Sequence, residues 1–263
     1  MNDLANRGAD ETPFYRRIRS FVRREGRLTP GQQRALDDLF PRFGLQLPDA
    51  AEPLDLNTVF GRTAPVTLEI GFGDGESLAE QAARQPERDF IGTEVHRPGV
   101  GHLLREVEQR GLTNVRVSDA DAVELLEHYL TPDSLDCVQV FFPDPWHKKR
   151  HHKRRLIQPA FVQHLATRIR PGGRLHLATD WADYAEHMIA VMEECTPWFE
   201  PDGPVPAPGR PPDRPETKFE RRGLRRGHTV ADLVYRRTQA PAAADAGSFG
   251  RASPQDGEPV RRS

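Results

Sequence analysis

The sequence contains few cysteines, and it lacks the long apolar runs of membrane proteins. Its two cysteines, Cys137 and Cys195, show no paired spacing, so neither a disulfide framework nor a cysteine-based zinc site is expected. No apolar run approaches the length needed to cross a bilayer, and the first residues lack the cationic and then apolar order of a signal peptide. We therefore expect a protein of the reducing cytoplasm, without a membrane segment.

A large excess of charge of one sign is also missing. The formal net charge is -2, from 37 Lys and Arg against 39 Asp and Glu in 263 residues. A sum near zero does not exclude a nucleic-acid partner, because it averages over segments of opposite sign and recognition depends on local clusters. The length fits one large domain or two small ones, with enough residues to bury a core.

Composition divides the chain into four parts. Residues 1–12 and 240–263 are polar or rich in Ala, Gly, Pro and Ser, which predicts disorder at both ends. Residues 13–58 form a basic N-terminal extension, and residues 59–239 form one α/β domain. Within that domain, the proline-dense stretch 201–215 predicts a long loop.

Short β-rich runs alternate with longer segments of helical spacing throughout the α/β domain. This order predicts right-handed crossovers and a Rossmann-like, mostly parallel twisted sheet of about seven strands, with helices on both faces. The last strand lacks a crossover helix before it, so we expect it to be antiparallel. The six strands that we can place are 66–70, 89–94, 114–118, 134–142, 173–179 and 229–237. Ligands of such sheets bind at the carboxyl ends of the strands.

A glycine-rich turn follows the first predicted strand. Gly71, Gly73 and Gly75 let the backbone turn sharply and approach a ligand closely. This turn is not a phosphate-binding P-loop, because no Gly-Lys-Ser/Thr follows, and its G-x-G-x-G spacing differs from the G-x-G-x-x-G that binds a pyrophosphate. Alone, the turn is compatible with nicotinamide, flavin and methyl-donor nucleosides, and with a simple chain reversal.

Three acidic residues mark three successive strand ends. Glu69 ends the first strand, Glu94 ends the second, and Asp121 follows the third. An acid in the position of Glu94 can accept both hydrogens of a ribose diol, and one after the third strand can accept from an adenine amino group. Acids repel a pyrophosphate but attract an ammonium and a sulfonium. Although one such acid alone would more often be a helix cap, the set favours S-adenosylmethionine over NAD.

The fourth strand runs into P-D-P-W, Pro143 to Trp146. The two prolines stiffen the turn and remove backbone donors, which leaves the Asp144 carboxylate and an indole face at the mouth of the expected site. Such a site can stack a base and hydrogen-bond to its edge. The alternative is an ordinary turn with a core tryptophan.

A basic run follows this turn directly. Residues 147–155, H-K-K-R-H-H-K-R-R, contain six Lys and Arg, which repel one another unless phosphates lie among them. The three histidines have no carboxylate or cysteine partners at metal-binding spacing, so we expect no metal site. Residues 14–27 and 217–226 are also basic. Each segment alone could be a solvated face, but together they indicate RNA.

The motifs of this chain closely resemble those of bacterial tRNA (guanine-N7)-methyltransferases, class I enzymes that depend on S-adenosylmethionine. The similarity spans residues 15–237, and the combination of P-D-P-W-H-K with T-K-F-E is specific. The matching motifs are R-S-F-V-R-R-E-G-R-L-T, L-E-I-G-F-G-D-G, G-T-E-V-H, D-A-V-E-L-L, V-F-F-P-D-P-W-H-K-K-R-H-H-K-R-R-L-I-Q, P-G-G-R-L-H-L-A-T-D-W and T-K-F-E-R-R-G.

The resemblance implies three groups of site residues. Asp144 is implied as the catalytic residue, and the methyl-donor site comprises Glu69, Glu94, Asp121 and Asp144, to which the glycine turn adds Gly71 and Gly73. The residues implied to touch the substrate are Lys148, Asp180, Thr217, Lys218, Phe219 and Glu220. Those implied to bind RNA are Arg150, His151, His152, Lys153, Arg154 and Arg155.

The chemistry of guanine N7 fits this set of residues. N7 carries a lone pair and no proton, so its methylation needs positioning more than a strong base. Attack makes the purine cationic, and a carboxylate such as Asp144, with Asp180 as a second candidate, can stabilise that charge. An accessible target must lie outside an A-form stack, and the resemblance implies the tRNA variable loop. Two alternatives stay open: an N6-adenine RNA methyltransferase, and an RNA-binding module with a vestigial S-adenosylmethionine pocket.

Overall fold

A computed structural model describes residues 27–217, 220–221, 227 and 229–242. The helices are α1 (Pro30–Asp38), α2 (Phe40–Phe43), α3 (Leu56–Phe60), α4 (Glu76–Arg84), α5 (Arg97–Gln109), α6 (Ala122–His128), α7 (Pro159–Arg168) and α8 (Ala182–Glu194). The strands are β1 (Val66–Ile70), β2 (Asp89–Thr93), β3 (Val115–Ser118), β4 (Leu135–Phe141), β5 (Ile169–Thr179), β6 (Phe199–Pro201) and β7 (Ala231–Arg237). A 3-10 helix spans Lys149–Arg154.

The seven strands form one sheet in the order β3-β2-β1-β4-β5-β7-β6. β1 to β5 are parallel, and β7 is antiparallel to both β5 and β6. The prediction of a mostly parallel, Rossmann-like sheet with a final antiparallel strand is therefore confirmed. All five residues of β1 and of β2 are buried, as expected of central parallel strands that helices cover on both faces.

Two apolar clusters, one on each face of the sheet, make up the core. One cluster joins α6, α7 and α8 to the sheet, and the other joins α1, α4 and α5 to it. The helices pack through their apolar faces; in α5, for example, Leu103, Leu104 and Val107 are fully buried. Packing from both sides fixes the strands, and the strands in turn fix the loops at their carboxyl ends.

The carboxyl ends of the central strands are level with one another. Ile70 at the end of β1 pairs with Thr93 on β2 and Val140 on β4, and Thr93 pairs with Ser118 on β3. The turns that follow these strands therefore open at one edge of the sheet. This is the edge at which the sequence predicts the site.

Two strand predictions differ from the structure by more than two residues. β5 begins at Ile169 and not at residue 173, because the segment Pro171-Gly172-Gly173 continues the strand through a register shift opposite Leu135 and Cys137. β6 was missed, since its three residues include Pro201 and carry no alternating pattern. The loop predicted at 201–215 is confirmed except for Pro201: residues 202–217 contain neither helix nor strand.

Several predicted features lie outside the described residues. They are the disordered N-terminus 1–12, the basic residues 14–26, and the tail from residue 243 onward. The described part of the basic extension contains α1, which begins at a capping box formed by Thr29 and Gln32. Among the described residues, no helix combines the length and apolar character that a membrane crossing requires.

Candidate active site

A cavity of about 650 Å³ opens at the carboxyl ends of β1, β2 and β4. It brings together predicted site residues from four separate stretches of the sequence. Those that line it are Gly71, Glu94, Asp121, Asp144, Lys148 and His151. The apolar part of the wall comes from residues such as Ile70, Val140 and Phe141, so the cavity combines apolar walls with a few polar groups, as ligand sites usually do.

The glycine turn leaves open space for a ligand. Gly71 and Gly73 have φ of 75° and 62°, a left-handed conformation that side chains other than glycine rarely adopt. A Cβ atom built on either glycine would meet nothing within 4 Å. Behind the turn, a Cβ on Gly99 would lie 2.0 Å from the carbonyl oxygen of Gly73. Because Gly99 has no side chain, α5 can pack directly against the Gly73 carbonyl. The opposite side of the glycine turn stays open.

Glu94 is held in place by the backbone on both sides. Its Oε2 accepts a hydrogen bond from the Gly73 N–H at 3.1 Å, and its Oε1 accepts one from the His96 N–H at 2.9 Å. The carboxylate is half-buried and lines the cavity. Because each oxygen has further lone pairs, Glu94 can accept two hydrogen bonds from a diol in a fixed orientation.

Asp121 combines a capping role with a place in the cavity wall. Its Oδ1 accepts a hydrogen bond from the Val123 N–H at 2.9 Å, which caps α6. The helix-cap interpretation that we considered for a single acid is therefore correct for Asp121, but the residue also lines the cavity. Its second carboxylate oxygen is the one left for a ligand.

Glu69 lies beneath the glycine turn and does not line the cavity. It is only 3% exposed, and its Oε2 finds no hydrogen-bond partner among the described residues. Burial, with smaller contributions from Asp74 and Glu94, raises the pKa of Glu69 to about 8. Near neutral pH this carboxyl is therefore protonated until a positive charge approaches it.

The P-D-P-W turn has a strained backbone. Phe142 and Trp146, on either side of Pro143-Asp144-Pro145, have φ of 52° and 48°, which is rare for bulky residues. Such strain persists only where the surroundings enforce it, and it concentrates at functional sites. Here the Phe142 N–H donates to the Ala178 carbonyl at 2.8 Å.

The Asp144 carboxylate is exposed in the cavity. Among the described residues, none donates a hydrogen bond to it. Lys148 and Trp146 line the same wall, and the Trp146 Nε1–H is buried without a partner in the described chain. The Arg154 guanidinium lies 5.1 Å from the centre of the indole ring. The exposed Asp144 carboxylate is thus a polar group available to a bound base.

The basic run is divided between the surface and the interior. Lys149, Arg150 and Lys153 on the 3-10 helix are exposed. Arg155 differs from the RNA-binding prediction, because it is 2% exposed, donates to the Pro145 carbonyl at 3.0 Å and forms an ion pair with Asp183. Arg155 holds the P-D-P-W turn from inside and is not part of the basic surface.

Of the remaining predicted substrate residues, the three that the structure describes, Asp180, Thr217 and Glu220, do not line the cavity. Asp180 follows β5, and the next residue, Trp181, packs edge-on against His147 of the cavity wall at 4.3 Å. The Thr217 hydroxyl accepts a hydrogen bond from the Glu220 N–H at 3.0 Å, and Glu220 is buried. Lys218 and Phe219 lie outside the described residues.

Two titratable residues of the cavity wall were not predicted as site residues. His96 and His147 line the wall, and each follows the end of a strand by a few residues. That position, and not their residue type, was the signal that could have identified them. Over the described ranges, no group of three His, Cys, Asp or Glu side chains is arranged to hold a metal ion.

Comparisons with known proteins place the chain among methyltransferases. A family model described as "Putative methyltransferase" matches residues 63–233. The tRNA (guanine-N(7)-)-methyltransferase of Alkalilimnicola ehrlichii is 63% identical over 243 residues, which cover 89% of this chain and 99% of that protein. The protein of the same name from Halorhodospira halophila is 61% identical over 221 residues, covering 84% of this chain and 95% of that protein.

A solved structure shares the fold at low sequence identity. The crystal structure of the 16S rRNA methyltransferase KamB superposes with a TM-score of 0.53 and 16% identity, covering 74% of this chain and 95% of that one. At this identity the likeness concerns the fold alone. The family model and the two relatives show that the chain belongs to the family of bacterial tRNA (guanine-N7)-methyltransferases.

Proposed function

We propose that this protein transfers a methyl group from S-adenosylmethionine to N7 of a guanine in tRNA, in the variable loop. The observation that carries the proposal is a single cavity in which Glu94 and Asp121 face Asp144, an exposed carboxylate at the end of the neighbouring strand. The relatives named for this activity support it.

The residues present fit the methyl donor. The open space over Gly71 and Gly73 admits a nucleoside close to the backbone. Glu94 would accept from the ribose diol, and Asp121 would accept from the adenine amino group. The Oε2 of Glu69 is buried beneath the same turn and accepts no hydrogen bond from any residue that the structure describes, so a nearby positive charge would stabilise its ionised form. The site is thus suited to a cationic ligand without phosphates.

Asp144 is the residue of this chain that acts on the reacting base. When bound, S-adenosylmethionine supplies a methyl group activated by the sulfonium. Guanine N7 needs no base, because it carries no proton, and the purine gains positive charge as it is methylated. A carboxylate already in place where that charge develops lowers the barrier without reorganisation. Once donor and base fill the cavity, its apolar walls would reduce the access of water to Asp144 and so strengthen this interaction.

The exposed basic residues of the 3-10 helix support binding of RNA. Lys149, Arg150 and Lys153 lie next to the cavity mouth, since Lys148 and His151 of the same segment line the cavity. Contacts of these cations with phosphates position the RNA but carry no sequence information. They would bring an unstacked guanine to the Asp144 side of the cavity.

Base-resolved product analysis tests the proposal. The protein is incubated with labelled methyl donor and unmodified tRNA, and the modified base is mapped. We expect N7-methylguanine in the variable loop. N6-methyladenine would establish the alternative enzyme, and calorimetry that finds no affinity for S-adenosylmethionine would establish an RNA-binding module.

A further inference from the structure

A buried arginine lies at the end of the proline-rich loop. Arg214 is 1% exposed, although its neighbours in the sequence are prolines and acids of a polar loop. Its Nε and Nη2 donate to the two carboxylate oxygens of Asp232 at 2.6 and 2.8 Å. Its Nη1 and Nη2 donate to the two oxygens of Glu220 at 2.7 and 3.0 Å. One guanidinium thus binds two carboxylates in the bidentate geometry that arginine favours.

The group extends into the sheet. Asp232 on β7 is 2% exposed and also accepts from His176 Nε2 on β5 at 2.8 Å. Burial alone would lower the pKa of Arg214, but its hydrogen bonds to Glu220 and Asp232 outweigh burial and raise that pKa above its ordinary value. These four buried side chains, Arg214, Glu220, Asp232 and His176, are called the Arg214 cluster below.

The Arg214 cluster touches the strained turn of the cavity. The Arg214 guanidinium lies 5.8 Å from the ring centre of Phe141 and 5.7 Å from that of Phe142, and His176 packs edge-on against Phe141 at 4.9 Å. Phe142 has the positive φ that begins the P-D-P-W turn. The cluster therefore packs against the residues that set the direction of Asp144.

Arg214 fixes the orientation of the Glu220 carboxylate. Both of its carboxylate oxygens accept from Arg214, and the residue is 5% exposed. Its backbone N–H donates to Thr217 Oγ1, so the position of the Thr217 hydroxyl also depends on where Glu220 is held. This burial contrasts with Asp144, which is exposed in the cavity.

We propose that Arg214 is a positioning residue for the methyl transfer and that it fixes the orientation of Glu220. The Arg214 cluster holds Glu220, and through it Thr217, relative to the P-D-P-W turn, so that Asp144 meets the base in one geometry. This inference rests on the proposed function. It adds a role for the proline-rich loop that contains Arg214, to which the chemistry of methyl transfer alone assigns none. Misplacing catalytic groups by about 1 Å can cost roughly a hundredfold in rate.

A double-mutant cycle tests this proposal. The variants are Arg214→Lys, Glu220→Gln, Asp232→Asn and the Arg214→Lys/Glu220→Gln pair. The readouts are the single-turnover methylation rate at saturating tRNA and donor, and the dissociation constant for S-adenosylmethionine. The assays run below the unfolding temperature of every variant. The matched control is Arg174→Lys, because Arg174 also tethers the loop, through Asp213 at 3.0 Å, but does not belong to the cluster.

We expect each single cluster variant to lose about 10- to 100-fold in single-turnover rate, while its affinity for the methyl donor stays within about twofold of wild type. The double variant should be no slower than the slower single variant, because residues that act as a unit are not additive. Arg174→Lys should keep the wild-type rate.

Two results would overturn the proposal. The first is a wild-type rate for Asp232→Asn beside a large loss for Glu220→Gln, which would assign Glu220 to the substrate. The second is a double variant whose loss is the product of the single losses. If Arg214→Lys does not fold, Glu220→Gln and Asp232→Asn, which keep side-chain size, decide the question. Wild-type protein is assayed first: its failure to methylate guanine N7 would reject the proposed function, whereas additive losses in an active enzyme reject only this inference.

Discussion

The donor side of the cavity, formed by Gly71, Glu94 and Asp121, is held by backbone N–H groups. Glu94 accepts from Gly73 and His96, and Asp121 caps the helix that directly follows it. The acceptor side, formed by Asp144 and the P-D-P-W turn, is supported by buried charged side chains, namely Arg155, Arg214 and Asp232. One side is held by backbone hydrogen bonds and the other by buried ion pairs.

This difference determines what a substitution on each side changes. The backbone hydrogen bonds on the donor side are made once the sheet and the adjacent helices are in place. A single substitution there should therefore remove one contact with the ligand and leave the fold intact. On the acceptor side, buried ion pairs must all be complete, because a buried charge without its partner is costly. Substitutions there change the geometry of the reacting groups.

The largest expected effect is on the acceptor side. Asp144→Asn removes the charge but keeps the shape, and we expect the methylation rate to fall by about a hundredfold or more, equivalent to roughly 3 kcal/mol of barrier. Donor affinity and tRNA affinity should stay near those of wild type. Single-turnover kinetics measures the rate, and calorimetry measures donor affinity.

Asp119→Asn is the matched control for this variant. Asp119 is an exposed acid at the same edge of the sheet and does not line the cavity, so its loss should leave the rate unchanged. A wild-type rate for Asp144→Asn would remove Asp144 from the mechanism. Substitution on the acceptor side would then affect the rate no more than substitution on the donor side.

The next effect in size concerns the donor side. Glu94→Gln removes the charge and one of two fixed acceptors, so the affinity for S-adenosylmethionine should fall by about 10- to 100-fold, as expected for a hydrogen bond to a charged group. The affinity for tRNA should not change. If calorimetry gave wild-type donor affinity for Glu94→Gln, the donor would have to bind elsewhere.

A smaller effect is expected at the basic surface. The double variant Arg150→Gln/Lys153→Gln should bind tRNA about tenfold more weakly. The slope of log affinity against log salt concentration should become less steep by about two. Filter binding over a salt series measures both. Arg110→Gln is the control, since Arg110 follows the far end of α5, away from the cavity. An unchanged salt slope would show that Arg150 and Lys153 face solvent and do not contact the phosphates of tRNA.

Arg155 sharpens this contrast between surface and interior. Because its side chain is buried against Pro145 and Asp183, Arg155→Gln should lower the free energy of unfolding by about 2 kcal/mol and leave the salt slope of tRNA binding unchanged. Denaturant unfolding measures the first quantity. A loss of slope comparable to that of the Arg150 and Lys153 variants would return Arg155 to the RNA surface.

The smallest expected effect is a pH dependence of donor binding. Burial raises the pKa of Glu69 from its ordinary value of 4.5 to about 8. A positively charged ligand favours the ionised carboxylate, so affinity for S-adenosylmethionine should increase by less than about tenfold as pH rises toward 8, and then level off. Glu69→Gln should remove this part of the pH dependence, whereas contributions of His96, His147 and His151, which line the cavity, remain. An identical profile for wild type and Glu69→Gln would contradict the assignment.

Stability gives an independent check on Glu69. A raised pKa in the folded state means that the folded protein holds a proton that the unfolded chain releases between pH 4.5 and about 8. The free energy of unfolding should therefore decrease through this range as pH rises, by an amount on the order of 5 kcal/mol for this group. Glu69→Gln should flatten that decrease.

The donor side could be predicted from the sequence because its signals are local. Strand 66–70, its glycine turn and the acid at 94 stand in a fixed order, and parallel strands necessarily bring their carboxyl ends to one edge. Asp144 was accessible to the same reasoning, since it follows the fourth strand. For these residues, position in the chain predicts position in the site.

The Arg214 cluster could not be predicted in this way. Arg214 lies in a proline-rich loop whose composition indicates exposure, and its partners Asp232 and His176 are single polar residues within strands. The burial of Arg155 could not be predicted either, because a run of like charges gives no sign of which member turns inward. Burial of these charges depends on the pairing of β5 with β7 and on the path of the loop, which only tertiary structure provides.

The decisive measurement is a structure of the protein with S-adenosylmethionine bound. We expect the ribose at Glu94, the adenine near Asp121, and the methyl group directed toward Asp144 across the cavity. A donor bound at any other place, with this edge of the sheet empty, would contradict the proposed site.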